Sequence, residues 1–161
     1  MAEEELAEMA RRVIDGNRYL VLATVEDDGH PRLSPVYFTP ARYRDFYWVS
    51  SPDARHSHNL RARPDVQIVV FDSSVAPNQG EAVYITARAR EVPPQELPQV
   101  VGEAFDPDTR GGRVFTPDEL SGEGDLRLYV ATATGYDVHV RAGHPTHGTG
   151  IDRRVATDPD Q

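Results

Sequence analysis

The alternation of residues 83–90 is the feature that most constrains the fold of this chain. Four apolar side chains at odd positions alternate with four polar or aromatic ones at even positions: Val83, Ile85, Ala87 and Ala89 against Tyr84, Thr86, Arg88 and Arg90. Successive side chains of a β-strand point to opposite faces of its sheet. The pattern therefore predicts a strand that buries one face.

Several other short segments also have the composition of strands. Residues 19–25 are apolar on both faces, as in a buried strand. Asp28-Gly29 predicts a hairpin turn, after which the chain returns through residues 33–38. Pro35 in that second strand cannot donate a ladder hydrogen bond, so it marks a bulge or an edge. Further strands are predicted at residues 44–50, 66–71, 126–134 and 136–140.

Two amphipathic helices are predicted outside these strands. Apolar residues recur at helical spacing in residues 3–15 and again in residues 93–105, and Asp106-Pro107 ends the second helix. The chain from there to residue 124 is rich in glycine, proline and aspartate and predicts a long loop. Residues 116–119 within it have the capping-box pattern of a short helical turn.

The elements together predict a mainly β protein with flanking helices, in which six or seven antiparallel strands form a barrel. An open sheet is the alternative, because alternation does not specify closure. The 161 residues are enough for one domain, predicted over residues 1–142. Residues 143–161 have little to bury and are predicted to be a loosely ordered C-terminal tail.

Composition excludes several classes of function. The formal net charge of −9 argues against binding to nucleic acid or to an anionic membrane. No apolar stretch is long enough to span a bilayer, and the N-terminus is too charged for a secretory signal, so we expect a cytoplasmic protein. The chain has no cysteine, which excludes disulfides, thiolate nucleophiles and cysteine-bound metals.

The six histidines do not predict a metal site. His56 and His58 are two residues apart on a predicted helix and therefore point to different sides. His144 and His147 lie in the glycine-rich tail, where no pair of carboxylates is close in sequence. A structural or solvated role is favoured for each, and no metal is expected.

Residues 50–56 carry the best local signal for a ligand. A strand ends at Ser50, Ser51 is a good N-cap, and Pro52 suits the first position of a helix that ends by residue 63. Arg55 and His56 then fall in or near the first turn. Helix N-termini present unpaired N–H groups and partial positive charge, so this arrangement suits a phosphate. The alternative is that Ser51 only caps the helix and Arg55 is a solvated surface residue.

The order of these motifs resembles the pyridoxamine 5′-phosphate oxidase-like family of FMN-binding split β-barrel proteins, which includes F420-dependent relatives. The resemblance covers residues 19–91. LATVEDDGHPRLSPVYF resembles the first hairpin of the family, and FYWVSSPDARHSHNLRARPDVQIVVF resembles its cofactor helix with the flanking strands. The resemblance implies a split β-barrel fold, an FMN cofactor (alternatively the deazaflavin F420) and a homodimer with the cofactor groove at its interface.

The resemblance also implies which residues bind the cofactor. One strand would run under the isoalloxazine ring and offer it backbone groups: Leu33, Ser34, Pro35, Val36 and Tyr37. The strand end and the following helix would hold the phosphate and ribityl chain: Val49, Ser50, Ser51, Arg55 and His56. Tyr84 and Arg88 would complete the site from the other subunit. His56 stands where the family usually has lysine, which makes phosphate affinity lower or dependent on pH.

The predicted activity is hydride transfer to or from a small-molecule substrate, with the flavin supplying the chemistry. No side-chain acid–base pair, cysteine or G-x-S-x-G elbow is present, so no catalytic residue is assigned. The Arg-x-Trp motif with which pyridoxamine phosphate oxidases hold their substrate is not evident, because the single tryptophan is Trp48. The alternatives are an F420-dependent reductase, a flavin-storage or sensing module without turnover, a haem-binding relative, and a barrel that binds no cofactor.

Overall fold

The computed structural model of the protein describes residues 2–106 and 112–161. Its elements, in chain order, are α1 (Ala2–Gly16), β1 (Tyr19–Val25), β2 (Pro31–Tyr37), β3 (Thr39–Ala41), β4 (Asp45–Ser50), α2 (Arg55–Ala62), β5 (Asp65–Phe71), β6 (Ala82–Glu91), α3 (Leu97–Ala104), a 3₁₀ turn (Pro117–Leu120), β7 (Arg127–Val140) and β8 (Arg153–Thr157). None of the helices described is long and apolar enough to cross a membrane.

All the strands belong to one antiparallel sheet. Seven of them follow the order β2-β1-β5-β6-β7-β4-β3 and curl into a half-barrel, and β8 pairs with β7 beside this path. The predicted fold class, a mainly β protein with a six- to seven-stranded antiparallel split barrel, is confirmed. In the described part of the chain β2 and β3 are joined by Phe38 but form no ladder, so the barrel is open between them.

Two apolar cores stabilise the sheet, one on each face. The inner core fills the barrel with alternate side chains of the long strands, such as Leu22, Ile68 and Ile85, and α1 closes it with Met9 and Ile14. A smaller core lies outside the barrel, where α3 and the 3₁₀ turn pack on β3, β4 and β7 through Leu97, Leu120, Tyr47, Leu128 and Val130. β4 and the first half of β7 are buried on both faces between these cores, whereas β1, predicted to be buried on both faces, buries only one.

The structure corrects two of the predicted strands. The segments predicted on either side of Gly135 form one strand, β7, which has a bulge instead of a break. Thr86 pairs with Gly135 and Ala87 with Ala133, so Thr134 is the extra residue. The short strand β3 was not predicted, because three residues with a central proline carry almost no alternation.

The helix predicted from Pro52 to residue 63 begins later in the structure, so the prediction is wrong at its start. α2 begins at Arg55 with Ala54 at the N-cap, so Ser51 is not the cap and Pro52 is not helical. The capping box is confirmed, since the Thr116 N–H donates to Glu119 Oε2 at 2.8 Å. Pro107, predicted to end the helix before this turn, lies outside the described residues, as do residues 108–111 of the predicted loop.

The C-terminal segment contains structure that the sequence did not predict. Residues 153–157 form β8, which pairs with β7 from Tyr136 to Val140, and Val155 packs against the inner core. The Arg11 guanidinium also donates to the Pro159 carbonyl at 3.2 Å. The expectation of a loosely ordered tail is therefore wrong for residues 153–157, where a strand with an alternating but mostly polar sequence pairs with an available edge.

Removal of residues 153–161 tests this packing. We expect a loss of about 2 kcal/mol or more in the free energy of unfolding, because Val155 leaves the core and five residues of β7 lose their ladder. Thermal unfolding followed by circular dichroism measures the shift in Tm, with removal of residues 160–161 alone as the control. An unchanged Tm in the longer truncation would show that β8 contributes nothing to stability.

Candidate cofactor site

Two cavities lie at opposite ends of β2, beside the opening of the barrel. A polar cavity of about 600 Å³ adjoins the start of the strand and is lined by Glu26, Asp27, Asp28, His30, Pro31, Arg32, Leu33 and Arg55. An apolar cavity of about 360 Å³ adjoins its end and includes Tyr37, Val49, Phe105 and Phe115. Leu33 and Tyr37 lie on the same face of β2, about 13 Å apart at 3.3 Å per residue.

The polar cavity brings together cations that are distant in sequence. Arg55, the first residue of α2, places its Nε 3.7 Å from Glu26 Oε2. The same carboxylate is paired with Arg32 of β2. Sequence reasoning did not assign Arg32 to the site. A usable signal is that Arg32 lies in the strand directly after the Asp28-Gly29 hairpin and that a helix carrying Arg55 follows later in the chain. The two guanidiniums thus share the Glu26 carboxylate, and guanidinium pairs of this kind suit anionic groups.

Next to these cations, His56 is hydrogen-bonded to β4. Its Nε2 lies 2.9 Å from Ser50 Oγ. Burial lowers the pKa of His56 below its ordinary value, and the charge of Arg32 lowers it further. His56 is therefore neutral at pH 7, where the lysine usual in the family would carry a full charge.

The charge state of Glu26 is fixed by the same groups. A hydrogen bond from Arg32 is the largest cause that lowers the pKa of Glu26, followed among the favourable contacts by a hydrogen bond with Asn59 and the charge of Arg55. The carboxylate is ionised at neutral pH. Glu26 therefore offsets the charge of both guanidiniums.

Ser51 shapes the turn that leads into α2. Its Oγ accepts a hydrogen bond from the Asp53 N–H at 3.1 Å, and its carbonyl accepts one from Ser57 Oγ at 2.8 Å. These contacts hold the chain between β4 and α2, so that Arg55 and His56 start the helix close to Ser50. The later helix start thus preserves the predicted grouping of Ser50, Ser51 and the basic pair.

Aromatic side chains form the walls of the apolar cavity. The rings of Phe105 and Phe115 lie 5.3 Å apart, and the Arg113 guanidinium lies 4.2 Å from the Phe115 centroid. Gly112 touches Tyr37 closely, since a Cβ at this position would lie 2.5 Å from the Tyr37 hydroxyl. Phe105 and Phe115 come from the segment after α3, and sequence reasoning did not assign them to the site.

Four of the twelve predicted cofactor-binding residues line these two cavities. Leu33 and Arg55 line the polar cavity, Tyr37 and Val49 line the apolar one, and Ser50 contacts His56. Other predicted residues lie on β2 between the two cavities: Ser34, Pro35 and Val36. Val36 is only 7% exposed, so its side chain belongs to the core and only its backbone is available to a ligand.

Tyr84 and Arg88 are separate from this site within one chain. Tyr84 aligns with Val69, Val21 and Pro35 across four strands, which places it about 14 Å from Pro35. The Arg154 guanidinium lies 3.5 Å from the centroid of the Tyr84 ring, and Arg88 pairs with Asp65 at 3.2 Å. Both face the same outer surface of the sheet as Leu33 and Pro35.

A third cavity, of about 550 Å³, lies between the β3–β4 hairpin and α3. Its polar groups are bonded to each other. Tyr43 donates to Asp15 at 2.7 Å, Tyr47 donates to Glu103 at 2.9 Å, and Arg42 pairs with Glu103.

Comparison with known families agrees with this geometry. The family model described as pyridoxamine 5′-phosphate oxidase matches residues 6–122, which include α2 and the strands beside both cavities, β2 and β4. The chain belongs to the pyridoxamine 5′-phosphate oxidase family. The resemblance noted in the sequence is thereby confirmed. No curated protein matches the chain.

Solved structures with the same fold bind different cofactors. A haem-binding protein from Mycobacterium smegmatis has a TM-score of 0.67 at 18% identity, over 94% of this chain but only 57% of that protein. An F420 reductase has a TM-score of 0.57 at 19% identity, over 79% of this chain and 94% of its own. An FAD-binding protein from Mesorhizobium loti has a TM-score of 0.59 at 19% identity, over 82% of this chain and 92% of its own. At these identities the likeness shows the fold alone.

The lowered pKa of His56 leads to a test by Arg32→Ala. We expect the pKa of His56 to rise, because the nearby positive charge is removed, while burial still holds it below about 6.5. NMR titration of the imidazole protons measures it, with Arg12→Ala on α1 as the control.

The same shift has a defined effect on stability. Because the unfolded His56 binds a proton at higher pH than the folded one, this group destabilises the fold as pH falls through about 6.5. Chemical denaturation at several pH values should show that the free energy of unfolding falls less on acidification in Arg32→Ala than in the wild type. A His56 pKa identical to that of the wild type would mean that Arg32 does not act on it.

Proposed function

We propose that this protein binds FMN along β2 and transfers hydride between the flavin and a small-molecule substrate. The observation that carries the proposal is the strand itself, whose two ends reach a cavity with two arginines and a cavity lined by aromatic rings. A ligand with an anionic end and a flat apolar end matches this pair. Membership in the pyridoxamine 5′-phosphate oxidase family supports the same conclusion.

The donor groups in and beside the polar cavity fit a phosphate. Arg32 and Arg55 line the cavity with two guanidiniums, and the segment from β4 into α2 adds the Ser50 and Ser51 hydroxyls and the His56 imidazole. Glu26 must give up Arg55 when the phosphate binds. The backbone of residues 33–37 would support the ring, with Tyr37 and Val49 at its far end.

The flavin, when bound, supplies the hydride chemistry. The described residues that line the apolar cavity include no carboxylate and no histidine. The chain would therefore contribute binding and orientation of the ring and exclusion of water by Phe105 and Phe115. This agrees with the absence of an assignable acid–base pair in the sequence.

F420 is the second candidate, because a solved F420 reductase shares the fold. Its anionic tail would need a basic groove beyond the phosphate site. The polar cavity instead carries three carboxylates in a row, Glu26, Asp27 and Asp28, which repel additional negative charge. This observation favours FMN.

We further propose that the outer face of β1, β2 and β5 is covered by a second copy of this chain. Tyr19, Leu33 and Phe71 are 62%, 69% and 47% exposed on this face, an arrangement that is unfavourable in water. Tyr84 and Arg88 lie on the same surface, so a symmetric pair would bring them toward the partner's β2. The cofactor site would then be completed by the other subunit.

Titration with FMN, F420 and haem, followed by fluorescence or absorbance, tests the cofactor. Tight binding of one FMN per chain supports the proposal, and a screen for substrate-dependent reoxidation then separates an oxidoreductase from a storage module. Stoichiometric binding of F420 or haem with none of FMN would overturn the cofactor assignment.

Arg55→Ala tests the phosphate site. We expect FMN affinity to fall about tenfold or more, since a charge-assisted contact is lost, while riboflavin affinity stays nearly unchanged. Glu26→Gln should have the opposite effect and strengthen FMN binding, because the competing charge is removed. Arg61→Ala, a change at an exposed arginine in the last turn of the same helix, is the matched control. Equal losses for FMN and riboflavin in Arg55→Ala would make the residue structural.

The proposed dimer is tested by Phe71→Glu. We expect a dimer for the wild type in sedimentation or light scattering, and a dissociation constant raised about tenfold or more in the variant, because a charge is buried at the interface. Val75→Glu, at an exposed residue of the loop that follows β5, is the control. A wild type that is monomeric at tens of micromolar contradicts the proposal.

A further inference from the structure

The loop between β7 and β8 brings two histidines to the N-terminal helix. His144 and His147 lie in this loop, and Glu5 lies in the first turn of α1. One donor atom from each residue lies within 4.8 Å of the other two. Sequence reasoning placed the histidines in a tail with no nearby pair of carboxylates, and Glu5 was missed because it is at the other end of the chain.

The loop is held in one shape by its backbone. The Gly148 N–H donates to the His144 carbonyl at 2.9 Å, and a Cβ at Gly148 would lie 2.5 Å from the Ala142 carbonyl oxygen. The position therefore requires glycine, and the His144 and His147 rings are presented side by side with centroids 5.1 Å apart. A preformed pair of ligands lowers the entropic cost of binding an ion.

The hydrogen bonds of His144 fix its tautomer. Its Nδ1 accepts from the backbone N–H groups of Thr146 and His147, at 3.2 and 3.1 Å. The lone pair is therefore on Nδ1 and the proton on Nε2. A metal ion that binds this ring would therefore have to displace either the two backbone N–H donors from Nδ1 or the proton from Nε2.

Glu5 is oriented by contacts of the kind that surround metal ligands. Its Oε2 lies 2.9 Å from His147 Nε2, and its Oε1 accepts from Thr146 Oγ1 at 3.3 Å. The His147 side chain is only 10% exposed, whereas the Glu5 side chain that it contacts is 45% exposed. Partners that orient a ligating carboxylate are a regular part of metal sites.

We propose that Glu5, His144 and His147 bind a zinc ion that ties α1 to the β7–β8 loop, with water in the fourth position. Two imidazole nitrogens and one carboxylate oxygen are a ligand set that suits Zn²⁺ in tetrahedral geometry. This departs from the sequence expectation of no metal. The proposal is independent of the flavin site, because none of the three residues lines the cavities at β2.

The protein contains a matched control. His58 Nε2 lies 3.1 Å from Asp27 Oδ2, a pair like that of His147 and Glu5. In the described ranges, 2–106 and 112–161, that pair has no third metal-binding group within the same distance. His58→Ala therefore removes an equivalent histidine without touching the proposed site.

Calorimetric titration of the metal-free full chain with zinc chloride is the test, together with the visible spectrum after cobalt addition. We expect one zinc per chain, a spectrum of tetrahedral cobalt, and a rise in Tm of roughly 5–10 °C at a zinc concentration 100 times the dissociation constant. His144→Ala and Glu5→Gln should each weaken binding about tenfold or more, and His58→Ala should not.

Glu5→Gln keeps the size of the side chain and can still bond His147 and Thr146, so it distinguishes a ligand from a structural contact even if His144→Ala fails to fold. Circular dichroism of each metal-free variant checks its folding. Zinc binding that is absent, or equally strong in folded Glu5→Gln, would overturn the proposal. So would an equal loss in His58→Ala.

Discussion

The architecture depends on the pairing of β7, the fourteen-residue strand near the C-terminus. One edge of β7 pairs with β6, and the other pairs first with β4 and then with β8. The extra residue Thr134 allows so long a strand to bend with the barrel, as bulges do elsewhere. In the sheet, β4 pairs with β7 on one side and with the short β3 on the other. The sheet therefore ends at β3 on one side and at β2 on the opposite side, and these two edge strands, both within the described residues, form no ladder with each other.

That opening determines where a ligand can bind. β2 is an edge strand, which suits Pro35, and its outer face carries exposed apolar side chains instead of a second layer of structure. The start of α2 and the segment after α3 approach the two ends of the strand and supply the polar and the aromatic cavity.

The electrostatics of the polar cavity are unusual for an anion site. Arg32 and Arg55 are balanced by Glu26, and His56 is kept neutral by burial and by Arg32. Such internal pairing offsets the repulsion between two neighbouring guanidiniums. Under the proposed function, phosphate affinity would depend on the difference between phosphate and Glu26 as partners, not on the number of cations.

The sequence by itself determined most of the strands, the presence of three helices and the local group Ser50, Ser51, Arg55 and His56, because alternation, turn residues and short-range spacing are properties of neighbouring residues. Only the tertiary structure decided which distant groups meet. Glu26 and Arg32 join Arg55, Phe115 faces the end of β2, and Glu5 meets His147, each through contacts between separate elements. β8 depended on the tertiary structure for the same reason, since its polar sequence forms a strand only beside the edge that β7 provides.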